Sequence, residues 1–146
     1  MPTGRSAIPL GISRGGSTLG KGIALQFKHA YPENFKEYRA ACAAGEVRLG
    51  HMLVVATGRL QPPAFIINFP TKGHWQSRSR LADIDSGLRD LRRVLQELEI
   101  ASVAVPPLGC GLGGLSWSDV RPRIEDALAD LPSRVLVHEP QGAPAP

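Results

Sequence analysis

The chain of 146 residues lacks the features that mark membrane, disulfide-rich or metal-binding proteins. Its apolar runs are far shorter than the roughly 18 residues of a membrane-spanning helix. The two cysteines, Cys42 and Cys110, lie far apart and match no metal-ligand spacing, and the four histidines are scattered. We therefore expect no membrane association, no disulfide framework, no metal site and no cofactor.

The N-terminus also lacks a long apolar stretch behind its first basic residue, as a secretory signal would require. We accordingly expect a cytoplasmic protein. The length suits a single domain, and the content of 42% hydrophobic and 21% charged residues is that of a soluble globular protein. The net charge of +4 suits a polyanionic partner, although many proteins without such a partner share it.

The first 20 residues contain five glycines together with prolines, serines and threonines. This composition predicts a loop with at most one poor strand. Residues 1–18 are therefore set apart as an atypical N-terminal segment, residues 19–140 as the folded domain and residues 141–146 as a disordered tail. A first helix is expected from about residue 21 to Ala30, where Pro32 closes or restarts it.

Apolar β-rich runs and amphipathic segments alternate along the rest of the chain. Strands are predicted at 52–56, 65–69, 102–106 and 134–138, and helices at 33–44, 81–98 and 118–131. The strands show no clean polar alternation, which indicates that both of their faces are covered. The sequence therefore predicts an α/β domain with helices on both faces of a largely parallel sheet.

Three loops in this pattern are candidates for anion binding. Residues 106–115 follow a strand, contain four glycines and precede a helix, so their N–H groups could surround a phosphate; a tight turn is the alternative. Residues 15–22 form a second glycine-rich entry to a helix but lack the order of a P-loop. Lys72 follows a strand and is a candidate phosphate clamp, nucleophile or general acid, or else a solvated surface lysine.

Taken together, five segments in this order closely resemble the macrodomain of DarG-type antitoxins over about residues 19 to 140. The segments are Gly20-Lys-Gly-Ile-Ala-Leu-Gln-Phe27; Tyr31-Pro-Glu-Asn-Phe35; Gly45-Glu-Val47; Asn68-Phe-Pro-Thr-Lys72 with His74-Trp75; and Pro106-Pro-Leu-Gly-Cys-Gly-Leu-Gly-Gly-Leu115 with Trp117. The resemblance implies a three-layer α/β/α fold with a mixed, largely parallel central sheet.

The resemblance also implies an activity and a site. Proteins of this family remove the ADP-ribose that a partner toxin, DarT, attaches to thymine bases in single-stranded DNA. ADP-ribose and ADP-ribosylated single-stranded DNA are thus the expected ligands, and a DarT-type toxin is the candidate protein partner. Lys72 is the implied catalytic residue. The implied ADP-ribose-binding residues are Gly20, Lys21, Gly22, Thr71, Pro107, Leu108, Gly109, Cys110, Gly111, Leu112 and Gly113.

One departure from the family pattern concerns the N-terminus. Family members carry a Gly-Asp-Leu segment whose aspartate recognises the adenine, and a Val-Asn segment whose asparagine orients the distal ribose. Residues 1–18 of this chain contain neither Asp nor Asn. The alternative to an ADP-ribosyl glycohydrolase is therefore a module that binds ADP-ribose with weak or no catalytic activity.

Overall fold

A computed structural model describes residues 6–13, 29–61, 63–72, 78–110 and 113–140, with residues 6–13 and 72 described by their backbone alone. These residues form eight elements: β1 (Ser6–Ser13), α1 (Pro32–Ala43), β2 (Leu53–Ala56), β3 (Phe65–Lys72), α2 (Leu81–Glu97), β4 (Ser102–Val105), α3 (Trp117–Ala127) and β5 (Arg134–Val137). Among the described residues, no helix combines the length and apolar character needed to cross a membrane.

The five described strands form one sheet in the order β2-β3-β1-β4-β5. Strands β3, β1, β4 and β5 run parallel to one another, whereas β2 lies antiparallel to β3 at one edge. The sheet is therefore mixed and largely parallel, and this prediction is confirmed. The four parallel strands also end at the same edge of the sheet, which is where ligands bind in open α/β folds.

Helices cover both faces of this sheet, as the alternation of side chains along β3 requires. Ile66 packs with Tyr38 and Ala41 of α1 on one face. Its neighbour Ile67 belongs to the larger core on the other face, which buries apolar side chains of α2 and α3. Because successive strand residues point to opposite faces, one strand serves both cores. The three-layer α/β/α arrangement is thus confirmed.

The predicted helices and strands after residue 31 agree with the structure to within one residue at most of their ends. The exceptions are β3, which continues through Pro70 to Lys72 instead of ending at Phe69, and α3, which ends at Ala127 instead of Leu131. In α2 the predicted apolar stripe is buried at Ile84, Leu88, Leu91 and Leu95. Pro32 begins α1 after Tyr31 interrupts the helical residues at 29–30, because a proline fits the first turn of a helix, where its missing N–H has no intrahelical partner. The rest of the predicted first helix, and residues 141–146, lie outside the described residues.

The N-terminal segment contributes more to the sheet than its composition suggests. Ser6–Ser13 forms an eight-residue strand in the centre, paired with β3 on one side and β4 on the other. The strand contains Pro9 and Gly11, although proline and glycine are both disfavoured in the interior of a central strand. The sheet thus extends to residues before 19, while the proposed division of the chain at residue 18 stays a prediction.

A hydrogen bond of Asp90 connects helix α2 to the residue before the edge strand β2. Its carboxylate accepts hydrogen bonds from the backbone N–H of Met52, at 2.7 Å, and from Nε of Arg93, at 2.8 Å. Burial raises the pKa of Asp90, but these two hydrogen bonds and the electrostatic attraction of Arg93 and His51 together outweigh burial and hold the pKa below its ordinary value of 3.8. The ionised carboxylate therefore stabilises the packing of the helix against the sheet.

Candidate functional site

The three loops predicted to bind a ligand all leave the same edge of the sheet. Strand β1 ends at Ser13 and leads towards Gly20, Lys21 and Gly22, which themselves lie outside the described residues. Strand β3 ends at Lys72, and β4 ends at Val105, directly before the glycine-rich loop. Because these strands are parallel and adjacent in the order β3-β1-β4, their loops start next to one another.

This edge has a pronounced step. Phe65 of β3 and Val103 of β4 both pair with Ala7, so the two strands are level at that point. From there β4 ends after Val105, whereas β3 continues to Lys72, which pairs with Ser13 at the end of β1. The four or five additional residues correspond to roughly 15 Å of extended strand. Strands β1 and β3 therefore project beyond the end of the shorter β4. The glycine-rich loop begins where β4 ends, beside the projecting part of β1.

The middle of β3 is connected to its neighbours by a buried polar pair, Asn34 and Asn68. Asn68 donates from Nδ2 to Oδ1 of Asn34, at 2.8 Å, and to the backbone oxygen of Leu53, at 3.0 Å. Asn34 returns a hydrogen bond from Nδ2 to Oδ1 of Asn68, at 3.0 Å. Both asparagines are buried, so the loss of either would leave polar groups unsatisfied. This pair connects α1, β2 and β3 just before Thr71, which is buried, and Lys72.

The glycine-rich loop is closed on itself by backbone hydrogen bonds. The N–H of Leu115 donates to the oxygen of Gly109 at 3.0 Å, and the N–H of Cys110 donates to that of Pro107 at 3.2 Å. The N–H of Leu108 is likewise bonded to the oxygen of Pro106. Three of the loop's donors are thus already used, so an anion in this loop would have to be bound by the remaining N–H groups.

Glycine is required at position 109 for two separate reasons. Its φ of +74° lies in the left-handed region that side chains disfavour. A Cβ there would also lie 2.6 Å from Cδ1 of Leu115 and 3.2 Å from Cδ1 of Ile84. The loop therefore packs directly on the core and on the residues preceding α2, and its shape follows from close contacts with them.

Ser79 contacts the glycine-rich loop at Gly113. This contact was not predicted from the sequence. Its N–H donates to the oxygen of Gly113 at 3.0 Å, and its Oγ lies 2.5 Å from where a Cβ of Gly113 would be. Within the described part of the chain, the buried Ser79 hydroxyl has no hydrogen-bond partner. No local pattern reveals this contact, because serine and glycine are distant in the chain and meet only when α2 and β4 pack together.

The cysteine of the loop is not suited to nucleophilic chemistry. Its Sγ lies 3.9 Å from the backbone oxygen of Leu108. Burial raises the pKa of the Cys110 thiol above its ordinary value, so the thiol stays protonated at neutral pH. A thiol that remains protonated is a weak nucleophile, and the contribution of Cys110 to the site is its place in the loop.

The part of the chain that is described offers no cluster of metal-binding side chains. No group of three or more His, Cys, Asp or Glu side chains in the described ranges could hold a metal ion. Asp85, near the start of α2, is paired with Arg123 of α3. In the described ranges, the groups of the glycine-rich loop that could bind an anion are therefore its free backbone N–H groups.

The structure places part of the predicted site at the ends of β3 and β4, with β1 between these two strands. The described portion of the glycine-rich loop after β4 includes Pro107, Leu108, Gly109, Cys110 and Gly113. Thr71 and Lys72 are the last two residues of β3. Gly20, Lys21, Gly22, Gly111 and Leu112 lie outside the described residues, as does the side chain of Lys72. The roles assigned to these residues stay predictions.

Comparison with known proteins relates the chain to one family. The family model described as the Macro domain matches residues 14–124. Two curated relatives, from Mycobacterium bovis (strain BCG / Pasteur 1173P2) and Mycobacterium tuberculosis (strain ATCC 25618 / H37Rv), are each named DNA ADP-ribosyl glycohydrolase. Each is 58% identical over 125 residues, which make up 85% of this chain and 36% of the relative. The chain thus spans about a third of the length of these relatives.

Two solved structures are similar over nearly the whole chain. The macrodomain of Mycobacterium tuberculosis DarG has a TM-score of 0.90 and 52% identity, covering 95% of this chain and 91% of that one. The structure of Thermosipho africanus DarTG in complex with ADP-ribose has a TM-score of 0.86 and 30% identity. It covers 99% of this chain and 40% of that one.

Proposed function

The chain belongs to the macrodomain family, in the group of the DarG macrodomains, and from this premise we propose that it is a DNA ADP-ribosyl glycohydrolase. Its substrate is ADP-ribose attached to thymidine in single-stranded DNA, and its role is an antitoxin-like reversal of that modification. The observation that carries the proposal is that β1, β3 and β4, the strands directly before the three candidate loops, all end at one stepped edge of the sheet. The names of the 58% identical relatives support it.

Binding of the ADP-ribose diphosphate is assigned to the glycine-rich loop. Because the N–H groups of Leu108, Cys110 and Leu115 are bonded within the loop, the donors for the diphosphate are those of the remaining residues between 109 and 114. Backbone N–H groups held in a rigid loop neutralise an anion without reorganising when it binds. In this proposal Pro107, Leu108 and Cys110 shape the loop, and Gly109, Gly111, Leu112 and Gly113 approach the phosphates.

The reaction itself is a hydrolysis of the bond between C1″ of the ADP-ribose and the base nitrogen. The oxygen of a water molecule bonds to C1″, the C1″–N bond breaks, and a proton ends on the base nitrogen. The products are free ADP-ribose and unmodified DNA. Lys72, at the end of β3, is the proposed catalytic residue. In one form its ammonium protonates the ring oxygen of the sugar, which makes C1″ more open to attack by water. In the other its neutral amine attacks C1″ of the ring-opened sugar, the base leaves with a proton on its nitrogen, and water then hydrolyses the lysine Schiff base to release ADP-ribose.

The second candidate function is an ADP-ribose-binding module with weak or no catalytic activity. It is favoured by the absence of Asp and Asn from residues 1–18, which removes the two side chains that the family uses for the adenine and the distal ribose. Both candidates predict binding of ADP-ribose, as in the Thermosipho africanus DarTG complex, so binding alone does not separate them.

The experiment that separates them measures ADP-ribose released from a single-stranded oligonucleotide with one ADP-ribosylated thymidine. We expect the protein to release ADP-ribose, and Lys72→Ala to lower the rate at least about 100-fold, the lower range for loss of a proton-transferring group. The Lys72→Ala protein should still bind ADP-ribose in calorimetry. Lys36→Ala is the matched control, because Lys36 is an exposed lysine on α1 and its removal changes the net charge equally.

The two outcomes have different meanings. Equal rates for the protein and its Lys72→Ala variant would remove Lys72 from catalysis. No release by the unmodified chain, together with measurable ADP-ribose binding, would favour the binding module.

A DarT-type toxin remains the proposed protein partner, to be tested by co-purification. Because the proposed substrate is DNA, we place the activity in the bacterial compartment that holds the DNA, the cytoplasm.

A further inference from the structure

Arg78 places a guanidinium beside the exposed end of the glycine-rich loop. A Cβ built on Gly114 would lie 2.9 Å from Nη2, 3.0 Å from Nε and 3.3 Å from Cζ of Arg78. Gly114 has a φ of +81° and is exposed, as is Arg78. The arginine thus occupies space that any side chain at position 114 would fill.

The three distances also give the orientation of the guanidinium. The two nitrogens lie nearer to the Gly114 position than the carbon that joins them. Arg78 therefore turns its Nε–Nη2 edge, rather than its flat face, towards the loop. Because that edge lies against the Gly114 backbone, the donor pair left for a ligand is the one at the Nη1–Nη2 end of the guanidinium, and two such N–H groups can bind phosphate oxygens in a bidentate manner.

The surroundings leave the positive charge of Arg78 uncompensated by the described part of the protein. The ion pairs of the described residues join other arginines and Lys36 to carboxylates, and Arg78 takes part in none of them. The two other glycines that contact this segment, Gly109 and Gly113, are buried. Arg78 and Gly114 therefore mark the outer rim of the loop, where a long substrate would continue beyond the site.

The backbone holds the arginine in this place. Ser79, the next residue, is buried and donates its N–H to the oxygen of Gly113 at 3.0 Å. The segment that carries Arg78 is thus attached to the loop one residue away from the guanidinium. An attached arginine loses less freedom on binding a ligand than one on a free loop, which favours binding.

We propose that Arg78 binds a phosphate group of the substrate at the exposed end of the glycine-rich loop. The proposal rests on the proposed function, whose substrate carries phosphates both in the ADP-ribose and along the DNA strand. The phosphate has the same chemistry in either source. The position of Arg78 on the outer rim favours the DNA backbone, and the experiment separates the two.

The experiment compares binding of an ADP-ribosylated single-stranded oligonucleotide and of free ADP-ribose by fluorescence anisotropy and calorimetry. Both are measured in the Lys72→Ala background, so that the oligonucleotide is not consumed. We expect Arg78→Ala to weaken oligonucleotide binding about tenfold at low salt, because a bidentate charged contact is lost. The slope of log K against log salt should become shallower by about 0.7, the value for one phosphate contact to a single strand.

Two further variants make the result specific. Arg78→Lys keeps the positive charge but lacks the paired donors of arginine. Its salt slope should therefore be close to that of the protein with Arg78, whereas its affinity for the oligonucleotide should lie between those of Arg78 and Arg78→Ala. Arg134→Ala removes an exposed arginine at the start of β5, on the opposite edge of the sheet, and should leave binding unchanged. Unaltered melting of Arg78→Ala by circular dichroism shows that the fold is intact.

The outcomes separate this proposal from the proposed function. A loss confined to the oligonucleotide assigns Arg78 to the DNA backbone, and an equal loss for free ADP-ribose assigns it to the diphosphate. Unchanged affinity for both ligands, or an equal loss in Arg134→Ala, would overturn the proposal. If the unmodified chain releases no ADP-ribose, the proposed reaction fails, while the binding comparison still decides the role of Arg78.

Discussion

The contact between Gly87 of α2 and Phe69 of β3 makes a specific prediction for the substitution Gly87→Ala. A Cβ at position 87 would lie 2.4 Å from Cζ, 2.6 Å from Cε1 and 3.2 Å from Cε2 of Phe69, whose side chain is fully buried. The ring thus meets the helix end-on. Rotation about χ2 spins the ring around its long axis and leaves Cζ in place, so only a change in χ1 or a backbone shift relieves the overlap.

The size of the effect follows from two opposing contributions. Alanine in place of glycine within a helix stabilises by about 1 kcal/mol. Carbon atoms pack at about 3.5 Å or more, so the closest approach at position 87 is short by about 1 Å, and overpacking of this kind costs about 1–3 kcal/mol. We expect the overlap to dominate, with a net loss of up to about 2 kcal/mol and a fall in Tm of up to roughly 8 °C.

The assay is thermal and urea unfolding of the four proteins of a double-mutant cycle with Phe69→Leu. The leucine side chain is shorter, so Gly87→Ala in that background should be neutral or stabilising, and the two changes should couple by about 1–3 kcal/mol. A Tm that rises in the single variant Gly87→Ala would refute the reasoning. Additive effects of the two substitutions would refute it as well, because they would show that Phe69 is not the obstacle.

The same substitution also tests the geometry of the site. Phe69 lies two residues before Thr71 and three before Lys72 on β3, so a retreat of the ring displaces the strand that carries the proposed catalytic lysine. A misplacement of about 1 Å at a catalytic group can cost about 100-fold in rate. We therefore expect Gly87→Ala to release ADP-ribose much more slowly than the unmodified protein at a temperature at which both proteins are still folded.

Two further substitutions test the loop and the helix attachment. Gly109→Ala should cost about 2 kcal/mol or more in unfolding experiments and weaken ADP-ribose binding in calorimetry, because it combines a φ of +74° with a 2.6 Å approach to Leu115. Gly58→Ala, at a φ of +69° with nothing within 4 Å of its Cβ, is the matched control and should leave binding unchanged. Asp90→Asn should lose about 1–2 kcal/mol at pH 7, because the charged partner of Arg93 is lost. Since the folded pKa of Asp90 lies below 3.8, this stability is present above that pH and disappears as the pH falls further, so urea unfolding of the two proteins should converge in strong acid. A difference that persists unchanged in acid would contradict the assignment.

The sequence by itself determined the α/β class and most of the elements, since the signals involved are local. The leucine stripe of α2 repeats at helical spacing over 17 residues, and apolar runs such as residues 65–69 lack polar alternation because both faces are covered. The glycine-rich loop after β4 was recognisable for the same reason, because glycines directly between a strand and a helix form a local pattern. The order of these segments also carried the family resemblance.

The tertiary structure alone decided how these segments meet. Ser6–Ser13 contains proline and glycine, yet it forms the central strand, because pairing with β3 and β4 on both sides outweighs its weak intrinsic preference. The contacts of Ser79 with Gly113, of Arg78 with Gly114 and of Asn34 with Asn68 join residues that are distant in the chain. Such contacts depend on strand order and register, which local composition does not encode, and they position the loop, the arginine and the end of β3 around one stepped edge.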